Sequence, residues 1–265
     1  MIGRRGNDHV SARDPWSAAR RAQRGRPLYA VGDVHGCYDL LRALLAEIGR
    51  DAAERYLGVT PMLVMCGDYV DRGPDSAKVL TALNWLSRSR AVDVTLLEGN
   101  HEAMLRMFID QPAAHSRWLS VGGAETLASY GLNVPDGDLD KATLTMLRDR
   151  LLDAMPTSHY RLLDRLEPMV IAGDYAFVHA GVKPGVALEG QHREDLLWIR
   201  GEFLDHLDPS AAVIVHGHTW EDDRATVLPH RIGIDTGAYE TGVLTALRIE
   251  DEAIDVIQAV DESIR

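Results

Sequence analysis

The sequence predicts an α/β fold, in which buried β-strands alternate with α-helices. Short runs of β-branched and other apolar residues end in polar turns flanked by glycine, as buried strands that lead into functional loops do. Apolar residues at helical spacing follow several of these turns, so strand–loop–helix units recur along the 265 residues. No internal repeat or low-complexity segment interrupts the pattern.

Three such units make up the first part of the chain. Predicted strands at residues 28–31, 62–65 and 94–97 precede predicted helices at residues 39–53, 75–89 and 101–109. Within the first helix, apolar residues recur on one face, at Leu40, Leu41, Leu44, Leu45 and Ile48. The second helix repeats this spacing, so both are predicted to pack against the strands that precede them.

The segment from residue 110 to about 168 differs from the units before it. It contains two predicted amphipathic helices, at 140–154 and 158–166, and we interpret it as a helical cap insert. Such an insert either shapes a substrate pocket or has a purely structural role. Predicted strands resume after it, at residues 169–171, 175–178, 212–215, 232–234, 243–249 and 253–257.

We expect residues 27–265 to form a single domain and residues 1–26 to be a basic, disordered N-terminal arm. Seven arginines against two acids give the arm a charge of +5, which leaves −17 on the remainder of a chain whose net charge is −12. The acidic body argues against nucleic acid as the main substrate. The arm is either a mobile, soluble tail, which its composition favours, or a contact for an acidic partner or membrane surface.

Composition predicts an ordinary soluble, cytoplasmic protein. The chain is 46% hydrophobic and 26% charged, and no apolar stretch approaches the roughly 18 to 20 residues that a membrane helix needs. The N-terminal residues lack the apolar core of a secretory signal, so export is not expected. With only Cys37 and Cys66, a disulfide framework is not expected, and both are interpreted as small buried thiols.

Five short blocks of polar residues follow predicted strands. They are GDVHG at 32–36, GDYVDRG at 67–73, GNHE at 99–102, HAG at 179–181 and HGHT at 216–219. In open α/β sheets, ligands gather at the carboxyl ends of strands, so we expect the blocks to converge although they span most of the chain. Each block alone is a weak signal, but all five in this order predict a binuclear metal site.

The residue types in these blocks suit hydrolysis of a phosphate ester. One ion is expected at Asp33, His35 and Asp68, and a second at Asp68, Asn100, His179 and His218. Oxygen and imidazole donors without thiolate favour Mn²⁺, Fe or Zn²⁺ over Mg²⁺, and we expect manganese. Two such ions neutralise phosphoryl charge and lower the pKa of a shared water, so that a metal-bridging hydroxide attacks phosphorus directly.

Three further side chains are expected to complete the reaction. His101 is the expected proton donor to the leaving group, with Asp71 holding its other ring nitrogen. Arg72 is expected to bind phosphoryl oxygens through its planar guanidinium, and Asn100 is expected to contact the phosphate as well as a metal.

The order and wording of the blocks resemble the phosphoprotein phosphatase family of calcineurin-like metallophosphoesterases, most closely its bacterial and phage branch. The resemblance extends over residues 29–248. It implies a four-layer sandwich of two mixed β-sheets flanked by helices, with a binuclear site at one edge. It also implies a phosphate contact for Arg200, in the segment DLLWIR, and a metal ligand at His218. His216 is then expected to support or pack against the site.

The expected activity is that of a metal-dependent protein serine/threonine phosphatase, with phosphotyrosine as a further substrate. The alternative is a symmetrical diadenosine-tetraphosphatase or another nucleotide phosphohydrolase, because the insert and not the metal blocks decides between a phosphoprotein and a small phosphorylated substrate. A non-catalytic metal-binding scaffold is disfavoured, since His101, Asp71 and all expected ligands are present. Glu98 departs from the family, whose best-known members have a basic residue there. It is expected either to weaken phosphate binding or to point away.

Overall fold

The computed structural model describes residues 2–4, 8–9, 26–208, 211–251 and 253–264. The strands are β1 (Ile2–Arg4), β2 (Asp8–His9), β3 (Leu28–Val31), β4 (Met62–Met65), β5 (Asp93–Leu96), β6 (Met169–Ala172), β7 (Tyr175–Val178), β8 (Val213–His216), β9 (Thr226–Val227), β10 (Arg231–Gly233), β11 (Val243–Glu250) and β12 (Ala253–Asp261). The α-helices are α1 (Tyr38–Arg55), α2 (Ser76–Leu86), α3 (Asn100–Asp110), α4 (Gly123–Ser129), α5 (Lys141–Ala154), α6 (Thr157–Leu163), α7 (Arg193–Trp198), α8 (Gly201–Leu204) and α9 (Ala238–Thr241). Short 3-10 helices lie at Ser116–Val121 and Leu188–Gly190.

The strands form two mixed sheets, as expected. In the first, the order is β1-β12-β11-β3-β4-β5, and β2 also pairs with β12. Strands β3, β4 and β5 are parallel, while β11 is antiparallel to both β3 and β12. In the second sheet the order is β6-β7-β8-β10-β9, with β7, β8 and β10 parallel and the two edge strands antiparallel.

Side chains of β3 point alternately to the two faces of the first sheet, and each face packs against a different layer of the fold. Tyr29 and Val31 belong to the core between the first sheet and the helices α1 to α3, whereas Leu28 and Ala30 belong to a second core shared with strands of the other sheet. A third core packs α7 and α8 against the outer face of the second sheet. Because side chains of a strand point alternately to opposite faces, a strand buried on both faces needs the continuous apolar sequence that β3 has. The result is helices, sheet, sheet, helices.

The register of the parallel strands brings the blocks to one edge. Val31 pairs with Met65, and Met65 pairs with Leu96, so β3, β4 and β5 end side by side. The loops that carry three of the five blocks therefore leave the first sheet next to one another. The other two blocks follow β7 and β8, which are parallel neighbours in the second sheet.

Most predicted elements are present with ends shifted by a few residues. The helix expected at 75–89 ends at Leu86, and the strand expected at 253–257 continues to Asp261. The insert at 110–168 is helical, but it also contains α4, which the sequence did not predict. Helices α4, α7 and α8 have four to seven residues, too few for a helical period to be recognised.

Parts of the N-terminal arm are ordered as strands. Ile2–Arg4 and Asp8–His9 pair with β12, where irregular chain was expected. Residues 5–7 and 10–25 lie outside the described residues, so disorder of the arm as a whole stays a prediction. In the part of the chain that the structure describes, no helix has the length and apolarity needed to cross a membrane.

Candidate metal centre

The five blocks meet at the edge formed by the strand ends. Two groups of side chains have potential ligand atoms within 4.8 Å of one another: His35, Asp68 and His101, and Asp68, His179 and His218. All five residues are buried. Asp68 belongs to both groups, with Oδ2 3.4 Å from His35 Nε2 and Oδ1 3.4 Å from His179 Nε2. The arrangement therefore has two adjacent sites that share one carboxylate.

Asp33 completes the first site from the loop after β3. Its Oδ2 accepts a hydrogen bond from the His218 N–H at 3.0 Å, while its buried Oδ1 has no hydrogen-bond partner among the described residues. Gly217 lies so close that a Cβ at this position would collide with Oδ1. Only glycine at position 217 leaves room for this carboxylate oxygen, which receives no hydrogen bond from the part of the chain that the structure describes.

Asn100 and His218 lie on the side of the second site. Asn100 is the first residue of α3, and its Oδ1 lies 2.8 Å from His179 Nε2. His218 Nε2 is buried and has no hydrogen-bond partner within the described ranges. A buried polar atom without a partner is costly unless something else binds it, which a metal ion would do.

The imidazoles are held in the form that binds metals. His35 Nδ1 donates to the Val70 carbonyl at 3.0 Å, and His179 Nδ1 donates to the Cys66 carbonyl at 2.8 Å, so each Nε2 lone pair faces the site. Burial lowers the pKa of His35 to about 3 and that of His218 to about 2. Neutral rings oriented by backbone carbonyls are typical of metal ligands.

Several acids are crowded together in and around the two groups. Burial, and then repulsion by Asp235 and Asp68, raises the pKa of Asp33 well above its ordinary value. Burial also raises the pKa of Asp235 to about 6. Burial acts in the same direction on Asp68, but the surrounding imidazoles, His179 first, lower the pKa of Asp68. Oxygen and nitrogen donors, unpartnered atoms and excess negative charge together fit two divalent cations.

The two thiols take no part in these groups. Cys66 is fully buried and Cys37 partly buried. Burial raises the pKa of Cys37 to about 12 and raises that of Cys66 further. Both are protonated at neutral pH and neither is placed as a thiolate ligand, in agreement with their interpretation as small packing residues.

His101 is paired with Asp71 as expected. Its Nδ1 donates to Asp71 Oδ2 at 2.7 Å, which leaves Nε2 facing Asp68 Oδ2 at 3.9 Å. Burial lowers the pKa of His101, but the charge of Asp68 and the hydrogen bond to Asp71 outweigh it and the pKa is raised. A raised pKa favours the protonated ring that a proton donor needs.

The two arginines differ in their closeness to the site. Arg72 places Nη1 3.1 Å from His35 Nε2 and Nη2 3.1 Å from His101 Nε2, and its guanidinium lies 4.7 Å from the centroid of the Tyr239 ring. Arg200 is exposed, and its Nη1 lies 3.5 Å from Thr219 Oγ1. Arg72 thus lies at the centre of the site and Arg200 at its rim.

The backbone of the site is unusual. Six non-glycine residues in the described ranges have positive φ, and five of them lie in the blocks: His35, Asp68, Asp71, Arg72 and His218. Each such conformation costs about 1–3 kcal/mol and persists only where surrounding contacts enforce it. Strain is therefore concentrated at the residues that the sequence marks for chemistry.

Glu102 supplies contacts that enforce one of these turns. Its carboxylate accepts hydrogen bonds from the N–H groups of Asp68, Tyr69, Val70 and Gly99, at 2.7 to 3.1 Å. Burial raises the pKa of Glu102 to about 8. The sequence contains Glu102 within the GNHE block, but its role as organiser of the neighbouring loop follows only from the fold.

The structure places the remaining predicted residues as follows. His216 is buried outside both groups, donates from Nδ1 to the Gly217 carbonyl at 3.0 Å and packs against the Phe203 ring. Glu98 belongs to neither metal group and accepts two hydrogen bonds from Arg193. Trp118 and Thr126 from the insert contact Asp71. The sequence did not indicate the contacts of Arg193, Trp118 and Thr126, since their positions relative to the blocks depend on tertiary packing.

Comparison with known proteins relates this chain to phosphoesterases. A family model described as calcineurin-like phosphoesterase matches residues 26–222. Serine/threonine-protein phosphatase 2 of Escherichia coli is 28% identical over 238 residues, covering 85% of this chain and 94% of that protein. The symmetrical bis(5'-nucleosyl)-tetraphosphatase of Nitrosospira multiformis is 32% identical over 162 residues, covering 61% of this chain and 46% of that protein.

The fold is also found among solved structures. A crystal structure described as a candidate diadenosine tetraphosphatase superposes with a TM-score of 0.58 at 22% identity, covering 90% of this chain and 98% of that chain. At this identity the likeness concerns the fold alone. The family model, in contrast, covers most of the chain and spans all five blocks. The chain therefore belongs to the calcineurin-like phosphoesterase family and is a metal-dependent hydrolase of phosphoric esters.

Proposed function

We propose that this enzyme is a protein serine/threonine phosphatase that requires two metal ions, with manganese as the expected metal. The observation that carries the proposal is the shared carboxylate of Asp68, which lies within 3.4 Å of an imidazole in each of the two ligand groups. Asp68 would hold both ions, and a pair of neighbouring divalent ions would supply the chemistry of phosphate ester hydrolysis.

We assign Asp33, His35 and Asp68 to one ion, and Asp68, Asn100, His179 and His218 to the other. The unpartnered atoms Asp33 Oδ1 and His218 Nε2 support this assignment. When bound, the ions supply charge neutralisation on the phosphoryl oxygens and a lowered pKa for the attacking water. His101 also lies within the first group, but the charges of Asp68 and Asp71 raise its pKa and favour the charged ring, which can donate a proton and has no lone pair for a metal ion.

The two arginines are assigned to phosphate binding. Arg72 holds its guanidinium beside both His35 and His101, so a phosphoryl group at the metals would be within its reach. Arg200 enters from the rim, where it also lies near Thr219. Guanidinium groups from two sides orient a tetrahedral phosphate and offset its charge in an acidic protein.

The extent of the match supports a serine/threonine phosphatase over a symmetrical tetraphosphatase, although an asymmetrical tetraphosphatase of Anoxybacillus flavithermus also aligns over 88% of its own length. The serine/threonine phosphatase of E. coli aligns over 94% of its own length, whereas the symmetrical tetraphosphatase aligns over 46%. This chain thus spans about half the length of the symmetrical tetraphosphatase. Cleavage of diadenosine tetraphosphate is the second candidate, supported by the higher identity of 32% within the aligned part.

Parallel assays decide between the two substrates. The purified protein, loaded with Mn²⁺, would be incubated with a phosphothreonine peptide and with diadenosine tetraphosphate, and the products identified. We expect faster release of phosphate from the peptide. Faster conversion of the dinucleotide to two molecules of adenosine diphosphate would establish the second candidate. Turnover of neither would support the non-catalytic scaffold.

A further inference from the structure

Two side chains of the insert hold the carboxylate of Asp71, the partner of His101. Trp118 Nε1 donates to Asp71 Oδ2 at 2.8 Å, and Thr126 Oγ1 donates to Asp71 Oδ1 at 2.7 Å. His101 Nδ1 donates to Oδ2 at 2.7 Å. All four side chains are buried, each with at most 2% of its surface exposed. The carboxylate therefore takes hydrogen bonds from one block residue and from two residues of the insert.

Thr126 also fixes the backbone of Asp71. The Asp71 N–H donates to Thr126 Oγ1 at 2.8 Å and to Ser76 Oγ at 3.0 Å. The φ of Asp71 is 73°, in the left-handed region that non-glycine residues rarely adopt. One hydroxyl thus accepts from the main chain and donates to the side chain of the same residue. It holds both in a conformation that costs free energy.

The insert contacts the Asp71 loop through its backbone as well. The Arg72 N–H donates to the Gly122 carbonyl at 3.2 Å. Gly122 has a φ of 119°, and a Cβ there would lie 2.6 Å from Arg72 N and 2.9 Å from Asp71 Cβ. The Trp118 ring packs on Phe108 of α3 with 4.8 Å between centroids. The insert therefore connects the loop that carries Asp71 with the helix that carries His101.

We propose that Thr126 and Trp118 are positioning residues that act through Asp71 on proton donation by His101. This proposal rests on the proposed function, because it concerns the proton that the leaving alkoxide receives. As the P–O bond breaks, its electron pair passes to the leaving oxygen and Nε2 of protonated His101 transfers a proton there. A carboxylate fixed at both oxygens holds the ring in one orientation, and orientation determines the efficiency of this transfer.

The positioning role predicts an effect that depends on the leaving group. A threonine alkoxide must be protonated as it leaves, whereas p-nitrophenolate leaves with little need of a proton. Thr126→Val removes the hydroxyl at nearly constant volume. We expect it to lower kcat for a phosphothreonine peptide about tenfold more than kcat for p-nitrophenyl phosphate, the effect of losing one hydrogen bond to a charged group. Thr126→Ser keeps the hydroxyl and is expected to stay close to the wild type.

Two further variants separate positioning from general damage. In a His101→Asn background, Thr126→Val should produce no additional leaving-group-dependent loss, because the proton donor is already absent. Trp118→Phe keeps the aromatic packing and removes the second hydrogen-bond donor to Asp71, so it should also lower kcat more for the peptide than for p-nitrophenyl phosphate. It replaces Thr126→Val in the experiment if that variant does not fold. Metal content and circular dichroism of each variant would be measured alongside.

Equal losses for the two substrates would overturn the positioning role and leave the proposed function standing. A selective loss that persists in the His101→Asn background would also overturn it, since the effect would not pass through the histidine. Failure of the wild-type protein to hydrolyse either phosphomonoester would instead overturn the proposed function, and this inference with it.

Discussion

Glu98 and Arg193 form a two-point ion pair. Arg193 Nε donates to Glu98 Oε2 at 2.8 Å and Nη2 donates to Oε1 at 2.5 Å. Only 8% of the Glu98 side chain is exposed, while 56% of the Arg193 side chain is. Glu98 directly precedes the GNHE block, and Arg193 is the first residue of α7. The acid that departs from the family pattern is thus neutralised within the chain.

This pair predicts the effect of removing the arginine. Arg193→Ala leaves a nearly buried carboxylate without its partner, one residue before the block that carries Asn100 and His101. We expect inorganic phosphate to inhibit the variant several-fold more weakly, a change of about 1 kcal/mol. The double variant Glu98→Gln/Arg193→Ala should restore inhibition, and Arg42→Ala, an exposed arginine on α1, serves as the control. Wild-type inhibition of the single variant would contradict this prediction.

Asp68→Asn tests the shared carboxylate. Because Asp68 lies between both groups, the amide should reduce occupancy of both metal sites and abolish detectable turnover. Metal content after gel filtration, measured by atomic emission, provides the readout. Asp164→Asn, a half-exposed surface aspartate paired with Arg106, is the matched control. A variant that retains two metals per chain would remove Asp68 from the bridging position.

His101→Asn tests the proton donor. We expect kcat for a phosphothreonine peptide to fall on the order of 10²–10⁴-fold with both metals retained. A smaller fall is expected for p-nitrophenyl phosphate, because its leaving group needs less protonation. Near-complete retention of peptide turnover would show that the proton comes from another source, whereas loss of metal would move His101 into the ligand set.

Arg200→Ala tests phosphate binding from the rim. Arg200 is exposed and its side chain makes one hydrogen bond, to Thr219, among the described residues, so its loss should leave the fold and both metals intact. The expected result is a raised KM and weaker inhibition by inorganic phosphate, with loss of one charged hydrogen bond worth about 1.5–3 kcal/mol. Arg106→Ala provides a surface control. Unchanged KM would leave phosphate binding to Arg72 and Asn100.

His159 links stability to pH within the helical part of the fold. Its neutral ring accepts at Nδ1 from the Tyr130 hydroxyl at 2.8 Å and donates from Nε2 to Thr81 Oγ1 at 3.0 Å. Burial lowers its pKa below the ordinary value of 6.5, so the unfolded chain binds a proton more readily than the folded protein. Its contribution to stability is therefore complete above about pH 6.5 and decreases as the pH falls below that value.

The measurement for His159 is urea unfolding of the wild type and of His159→Gln on both sides of this pH. At neutral pH the variant should be about 1 kcal/mol less stable, because glutamine replaces the two hydrogen bonds imperfectly. The difference should shrink at lower pH, since only the wild type loses the contribution of a neutral ring. A difference that is independent of pH would show that the pKa of His159 is not lowered.

The sequence by itself determined which candidate site residues follow the strands and which segments form the strands. Asp68, His35, His179 and His218 were identifiable because each follows a short apolar run in a glycine-flanked block. A strand buried on both faces needs continuous apolar sequence, which leaves its end as the first place for polar groups. The long periodic helices α1, α2, α3 and α5 were predictable for the same kind of reason, since amphipathic spacing is a local property.

Only the tertiary structure decided which partners hold those residues. Thr126 lies 55 positions from Asp71 and Arg193 lies 95 positions from Glu98, so no local pattern connects them. Short helices such as α4 and α7 have too few turns to show a period, yet they carry or adjoin these partners. The candidate ligand residues can be recognised from local sequence because they stand where the buried strands end. Their orientation follows from packing between distant segments, which depends on the whole fold.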